Sequence, residues 1–341
     1  MMTLTERTVE TARFLATDPV REARVGATTY EVVHHHNKLR VLHFAPRGPV
    51  TANPVFVSMP LINRWFIWDL MPGHSLIAEL VAAGVPVYLV DWGKTGPEDN
   101  EVTLAYLVDR MLLRALRRAE RDARRRYNTD KLDAIGYCVG GTFLAITLGQ
   151  YPELARRACF VATPIDFHRS GRLALWAQPG HFPVDKAIDA FGNYPGRIIK
   201  DAFAWLRPQG QTRKWVSLWE RIDREGFPAL WAALEKWSND PVDFPGEAYR
   251  EYVRRCYFEN ALVDDSVDWV MANRAVHLRD VTVPAHVIAA ASDHIVPPAA
   301  AFALEGAWGG PVTTRTIKGG HVGVCVSGVL AGALLDWIRE G

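Results

Sequence analysis

Six short runs of apolar or β-branched residues punctuate the chain: "PVFVSM" (54–59), "PVYLVD" (86–91), "LDAIGY" (132–137), "ACFVAT" (158–163), "AHVIAAA" (285–291) and "VTTRTIK" (312–318). Mostly separated by helix-length segments, they predict a mainly parallel sheet with helices on both faces. Upstream, "TTYEVVHHHNKLRVLHF" places two β-rich runs on either side of Asn37-Lys38, as a hairpin would. In "LVDRMLLRALRRAERDARRRY" the residues Leu107, Met111, Leu112, Ala115, Leu116 and Ala119 recur at helical intervals, and the intervening arginines, Arg117 to Arg126, read as a solvated face. Strand signals lapse between Asp166 and Val283, where Trp205, Trp215, Trp219, Trp231, Trp237, Tyr249, Tyr252, Tyr257 and Phe258 supply much of the aromatic content. That segment predicts a mostly helical cap inserted between two strands. The expected division is a core of 1–165 and 284–341, its first 25 or so residues peripheral, and a cap of 166–283.

Composition narrows the setting. The 341 residues are 49% hydrophobic and 23% charged, ordinary for a globular chain able to bury a large core. A net charge of +1 supplies no general field for nucleic acid or an acidic membrane surface. Cys138, Cys159, Cys256 and Cys325 lie far apart with no C-x-x-C pair, which argues against a zinc site or a disulfide scaffold. The charged N-terminus carries no signal-peptide core, so a cytoplasmic location is expected. The stretch from Val322 to Leu335 is too short to span a bilayer and reads as one buried C-terminal helix. No metal and no separate cofactor are expected.

The candidate chemistry centres on "GYCVGG" (136–141), which matches the nucleophile elbow G-x-S-x-G with cysteine in place of serine, between a strand-like and a helix-like run. A sharp strand-to-helix turn exposes the nucleophile, and flanking glycines let backbone pass close. The helix that follows directs free N–H groups and its positive end at the thiol, and the Val139 N–H can face an oxyanion. Taken alone, the pattern also fits a small structural cysteine. A nucleophile needs a base and an orienting acid, which α/β-hydrolases place on loops after later strands in the order nucleophile, acid, histidine. "ASDHIVPP" sets Asp293 just past one strand, and "KGGHVGV" sets His321 just past the next. His294 is the rival base. His34, His35 and His36 alternate faces near a hairpin tip and do not readily share a metal.

"PLINRWFIWDLMPGHSLIAELVAAGVPVYLVDWG" (60–93), "GYCVGG", "VATPIDF" (161–167), "EKWSNDPVDFPGEAYREYVRRCYFENALV" (235–263), "DHIVPP" (293–298) and "GGHVGVCVSG" (319–328) together resemble the catalytic subunit of polyhydroxyalkanoate synthases, most closely the short class III form. The likeness runs from about Pro54 to Leu335. It implies an α/β-hydrolase fold and an acyltransferase that polymerises (R)-3-hydroxyacyl-coenzyme A, with 3-hydroxybutyryl-coenzyme A the expected substrate. Coenzyme A then enters as part of the substrate and leaves as product. The implied roles are Cys138 as nucleophile, His321 as base and Asp293 as third member, with a further role for Asp293 in activating the incoming 3-hydroxyl. The second oxyanion donor is expected from Ile62, with Asn63 next.

The resemblance also implies a second, non-catalytic synthase subunit or a homodimer, and work at the surface of polymer granules. Where the family commonly has Leu-Asp-Asp-Tyr this chain reads "TLAYLVDR", and where it has Tyr-Pro after Asp-Trp-Gly this chain reads "KTGP". These departures bear on substrate range or partner contacts. Two rival readings stand beside the synthase: a cysteine-dependent thioesterase or esterase of the same fold, and a non-catalytic granule-associated scaffold.

Overall fold

The computed structural model describes residues 2–340. Eight strands form one sheet: β1 (Glu31–His36), β2 (Leu39–Phe44), β3 (Val55–Ser58), β4 (Val87–Asp91), β5 (Asp133–Tyr137), β6 (Arg157–Val161), β7 (Ala285–Ala290) and β8 (Val312–Ile317). Their spatial order is β1-β2-β4-β3-β5-β6-β7-β8. The first hairpin turns at Asn37, in the left-handed region at φ 55°. β1 and β2, and β2 and β4, pair antiparallel; every later pairing is parallel. The strands β3 to β6 are buried along their whole length, which is why they read as unbroken apolar runs. At the far edge, Thr313 to Thr316 of β8 are exposed polar residues, which discourage pairing with another chain. Strand order reverses between β3 and β5, so the loops after these two strands diverge and leave a crevice at their carboxyl ends.

Helices cover the sheet and build the cap: α1 (Leu4–Ala16), α2 (Leu113–Tyr127), α3 (Val139–Gln150), α4 (Gly196–Leu206), α5 (Gln209–Glu220), α6 (Phe227–Ser238), α7 (Gly246–Tyr252) and α8 (Val329–Arg339). Every residue of α3 is buried, the packing expected of a helix apolar on all sides. The arginines of α2 face solvent and pair locally, Arg124 with Asp130, Arg125 with Asp122 and Arg126 with Glu31. At the base of the sheet the buried Asp133 carboxylate holds Arg156 (2.7 Å) and Arg157 (2.9 Å). Arg157 also donates to the Trp337 and Ile338 carbonyls, tying α8 to β5 and β6. The C-terminal segment differs from expectation. It breaks into a short turn of helix (Gly323–Val326) and α8, because Gly328 adopts φ 73° and reverses the chain between them.

The cap leaves the core after β6 and returns before β7. Its start is clasped by Asn260, which accepts from the Phe167 N–H (2.8 Å) and donates to Asp166 (2.9 Å). Inside, aromatic rings stack edge to face and face to face: Tyr194 on Tyr249 (4.1 Å), Phe244 on Tyr252 (5.6 Å), Phe167 on Tyr257 (4.8 Å). Past α7 the helix widens into a π turn over Val253–Phe258. In an α-helix residues five apart diverge; the π turn brings Tyr252 and Tyr257 to one side, with ring centroids 6.1 Å apart.

The N-terminal segment packs against the cap. Phe14 meets Trp231 edge to face at 6.4 Å, Trp219 donates to Thr8 (3.1 Å), Arg7 pairs with Asp223 (3.3 Å), and Lys236 donates to the Arg21 and Ala23 carbonyls. Met2, Phe14, Val20 and Ala23 cover a small second core of Leu218, Ile222, Trp231 and Ala232. Deleting residues 2–23 uncovers that core, so amide hydrogen exchange of α5 and α6 should accelerate while β3 to β6 keep their protection. Equal exchange in α5 and α6 would show that the segment does not brace the cap.

Candidate active site

β5 ends at Tyr137, α3 begins at Val139, and Cys138 between them has φ 54° and ψ −134°. This is a strained conformation for a residue with a Cβ. It is held from both sides: the Cys138 N–H donates to Val161 O (3.0 Å), and the Cys138 carbonyl accepts from the Gly141 N–H (2.9 Å). The neighbouring glycines are needed for space, and none of the three has a positive φ. A Cβ on Gly136 would lie 2.4 Å from the Gly141 Cα, one on Gly140 2.4 Å from Ser58 O, and one on Gly141 1.9 Å from Thr163 Oγ1. Strand, turn and helix therefore touch backbone to backbone, with Ser58 Oγ donating to Gly140 O (2.7 Å).

Asp293 and His321 reach the same point from the ends of β7 and β8. The His321 Nδ1 and Asp293 Oδ2 are 2.7 Å apart, and the Asp293 side chain is fully buried. Its other oxygen accepts from the Ile295 (2.9 Å) and Val296 (2.9 Å) N–H groups, so the carboxylate is fixed at both oxygens. Gly319, at φ 133°, opens the tight loop that delivers the histidine, and its carbonyl accepts from the Ser292 N–H (2.8 Å). The His321 ring stacks on Tyr137 at 5.5 Å and 27°, and the Tyr137 hydroxyl donates to the His321 carbonyl (3.1 Å). With Nδ1 committed to Asp293, the other ring nitrogen is left for Cys138, which lines the same cavity as the imidazole and acts on its charge. Burial disfavours the imidazolium, but the Asp293 carboxylate and the Cys138 sulfur beside the ring outweigh it and hold the His321 pKa well above its ordinary value. His294, by contrast, is exposed to solvent.

Of the four cysteines, which are all free and buried, Cys138 is the one beside this pair. Burial pushes the Cys325 thiol up to about 12 and raises those of Cys159 and Cys256 further from neutrality, so these stay uncharged packing groups. His34 and His36 stack on one face of β1 with parallel rings 6.5 Å apart, and His36 meets Tyr106 OH (3.2 Å). Among the described residues no three His, Cys, Asp or Glu side chains converge as metal ligands.

The loop after β3 supplies the opposite wall. Three of its carbonyls are pinned: Met59 O by the Trp92 indole (2.7 Å), Ile62 O by the Val242 N–H (2.9 Å) and Arg64 O by the Trp237 indole (2.8 Å). Ile62 borders Cys138 with Val139, and Asn63 lies farther along the same wall. Sequence reasoning did not single out Trp92 and Trp237 as props for this loop. It also missed Tyr252 and Tyr257 at the Cys138 thiol, because a five-residue spacing does not look like one helix face. Burial raises both phenol pKa values, so these hydroxyls stay protonated donors.

Two cavities open from Cys138. One, of about 180 Å³, runs into the cap between Leu173, Trp176, Phe182, Phe244 and Val253. The other, of about 230 Å³, passes His321, Asn63, Gln211 and Ser238 to Lys200.

The eight-stranded sheet, the turn at Cys138 and the loops bearing Asp293 and His321 define an α/β-hydrolase-fold protein with cysteine at its elbow. The family model described as alpha/beta hydrolase fold matches residues 68–325. The chain belongs to the poly(3-hydroxyalkanoate) polymerase family, whose members are acyltransferase enzymes, as the resemblance implied. It is 31% identical to the poly(3-hydroxyalkanoate) polymerase subunit PhaC of Allochromatium vinosum, over 92% of this chain and 89% of that one. With the PhaC subunit of Synechocystis it shares 30% identity over 94% and 86% of the two chains. With that of Haloferax mediterranei it shares 31%, over 95% of this chain but only 66% of the longer relative. Among solved structures, an N-acyl homoserine lactone degrading enzyme matches with a TM-score of 0.51 at 13% identity, covering 91% of this chain and 99% of that one, a likeness of fold.

Gly141→Ala should lower stability in urea unfolding by about 2–4 kcal/mol through the clash with Thr163. Gly332→Ala, at an exposed position of α8 with nothing within 4 Å of the new Cβ, should raise it by about 0.5–1 kcal/mol. In an NMR titration, Cys138→Ala should lower the His321 pKa, because the sulfur that favours the imidazolium is gone while burial remains, and Asp293→Asn should lower it as well. An unmoved value in Cys138→Ala would mean that the thiol carries no charge beside the ring.

Proposed function

We propose that this chain polymerises (R)-3-hydroxyacyl-coenzyme A into polyester through a thioester on Cys138, with 3-hydroxybutyryl-coenzyme A as the substrate to test first. The observation that carries the reading is a thiol in a strained elbow, beside an imidazole whose Nδ1 is held 2.7 Å from a buried carboxylate. The polymerase names of its relatives support the acceptor being another hydroxyacyl unit and not water.

In the first half-reaction the Cys138 sulfur attacks the thioester carbonyl, and the negative oxygen is received by the Val139 and Ile62 N–H groups. The carbon–sulfur bond to coenzyme A breaks, and the departing thiolate takes the proton that His321 holds. The acyl unit is now on Cys138, and loss of the negative sulfur removes one of the charges that raised the His321 pKa. The neutral imidazole, oriented by Asp293, accepts the proton of the incoming 3-hydroxyl as that oxygen attacks the acyl-Cys138 carbonyl. Cys138 leaves as thiolate beside the imidazolium, and the ester, one unit longer and still on coenzyme A, returns its chain to Cys138 with release of coenzyme A. A thiol suits this cycle because thioester-to-thioester transfer is near thermoneutral. The aromatic cap keeps water from the acyl-enzyme. Exposed Leu175, Phe191, Trp205 and Trp215 on the cap support contact with hydrophobic polymer at a granule surface.

Purified protein incubated with (R)-3-hydroxybutyryl-coenzyme A should release coenzyme A and accumulate polyester, and Cys138→Ala should abolish both. Asp293→Asn should cut the rate by about 10²–10⁴-fold with the fold intact. Release of free 3-hydroxybutyrate without polymer would identify a thioesterase instead, and polymer formation by Cys138→Ala would remove this site from the chemistry.

A further inference from the structure

The two cavities that meet at Cys138 share Ile62, Ile199, Phe203 and Ile295 with it, and beyond these residues they differ in chemistry. Helix α4 divides them. Gly196, Lys200 and Ala204, four residues apart, turn to the larger cavity, whereas Ala202 turns to the cap cavity and Ile199 and Phe203 border both. We propose that the division cuts the substrate at its thioester carbon: the cap cavity takes the acyl unit and the first units of the polyester, and the Lys200 cavity takes the pantetheine arm of coenzyme A. This rests on the polymerase reading above and assigns the two halves of its substrate.

The position of the acid carries the first argument. His321 lines the Lys200 cavity and not the cap cavity. The coenzyme A sulfur leaves by taking a proton from that ring, so it departs on the side where the ring is.

Hydrogen-bonding inventory carries the second. The pantetheine arm contains amides, which both donate and accept and lose water on entry. Asn63, Gln211 and Ser238 offer matching groups on that side alone. A polyester has acceptors and no donors. The side-chain polar groups of the cap cavity are the Cys138 thiol, the Trp176 indole and the hydroxyls of Tyr194, Tyr249, Tyr252 and Tyr257. Burial raises all four phenols, keeping them donors.

Charge carries the third. The Lys200 Nζ donates to the amide oxygen of Asn239 (2.6 Å), and among the described residues no carboxylate pairs with it. Its charge is available to a phosphate at the outer end of the arm. The cap cavity has no charged side chain in its wall.

The test compares Ala202→Trp, which fills the cap cavity, with Ala204→Trp and Lys200→Glu, which obstruct or repel at the other. Each full-length protein is assayed for coenzyme A release from (R)-3-hydroxybutyryl-coenzyme A, for inhibition by free coenzyme A, and for the length of its product. Ala204→Trp and Lys200→Glu should each raise KM and weaken coenzyme A inhibition by about tenfold. Ala202→Trp should shorten the product and reject longer acyl groups, with coenzyme A inhibition held within about twofold. Lys200→Glu places its change toward the solvent end, so it decides the question if a tryptophan variant does not fold. The opposite pattern, or Lys200→Glu with unaltered coenzyme A inhibition and KM, overturns the division while the polymerase reading stands. A wild type that releases no coenzyme A overturns both.

Discussion

The structure depends on close packing around one turn: β5 meets α3 backbone to backbone at Gly136 and Gly141, Gly140 rests on the backbone at the end of β3, Gly141 faces the Thr163 side chain, and none of the three glycines has room for a Cβ. That closeness forces Cys138 into a left-handed conformation and lifts its sulfur out of the sheet. Hydrogen bonds across the turn, to Val161 on one side and from Gly141 on the other, hold the strain. A strained residue persists only where its surroundings over-determine it, and here the surroundings are the centre of the core. The same packing sets β3 and its following loop against the turn, because Gly140 rests on Ser58 and Met59. The wall with Ile62 thus inherits its place from the elbow.

Electrostatics then act on a thiol already in position. Asp293 is committed at both oxygens, which orients His321 and charges it in spite of burial. Tyr137 supports the ring from below, and as the residue before Cys138 it couples the two partners through one short piece of chain. The cap adds what the core cannot. Its aromatic network walls the cavity at the thiol, and the π turn after α7 brings two neutral phenols to that same wall. The N-terminal segment braces that cap through α5 and α6.

The strands, the parallel core and the placing of Cys138, Asp293 and His321 just past the ends of β5, β7 and β8 were legible because each is written locally. Buried strands are short apolar runs, and the elbow is a strand, a glycine-flanked nucleophile and a helix in direct succession. The break at Gly328 was not legible, since an isolated glycine in an apolar helical pattern is as compatible with continuation as with reversal. The bracing role of the first 23 residues was hidden for another reason: the partners of Phe14, Arg7 and Thr8 lie more than 200 positions away.

By itself, then, the sequence determined which residue types meet at the ends of β5, β7 and β8, because strand order and loop placement follow from patterns a few residues long. Tertiary structure alone decided what surrounds them. The indole props under the β3 loop, the paired phenols at Cys138 and the split of the space around it into an apolar and a polar cavity all arise where distant segments are pressed together. A cavity is a property of the gap between elements, and no stretch of chain encodes a gap.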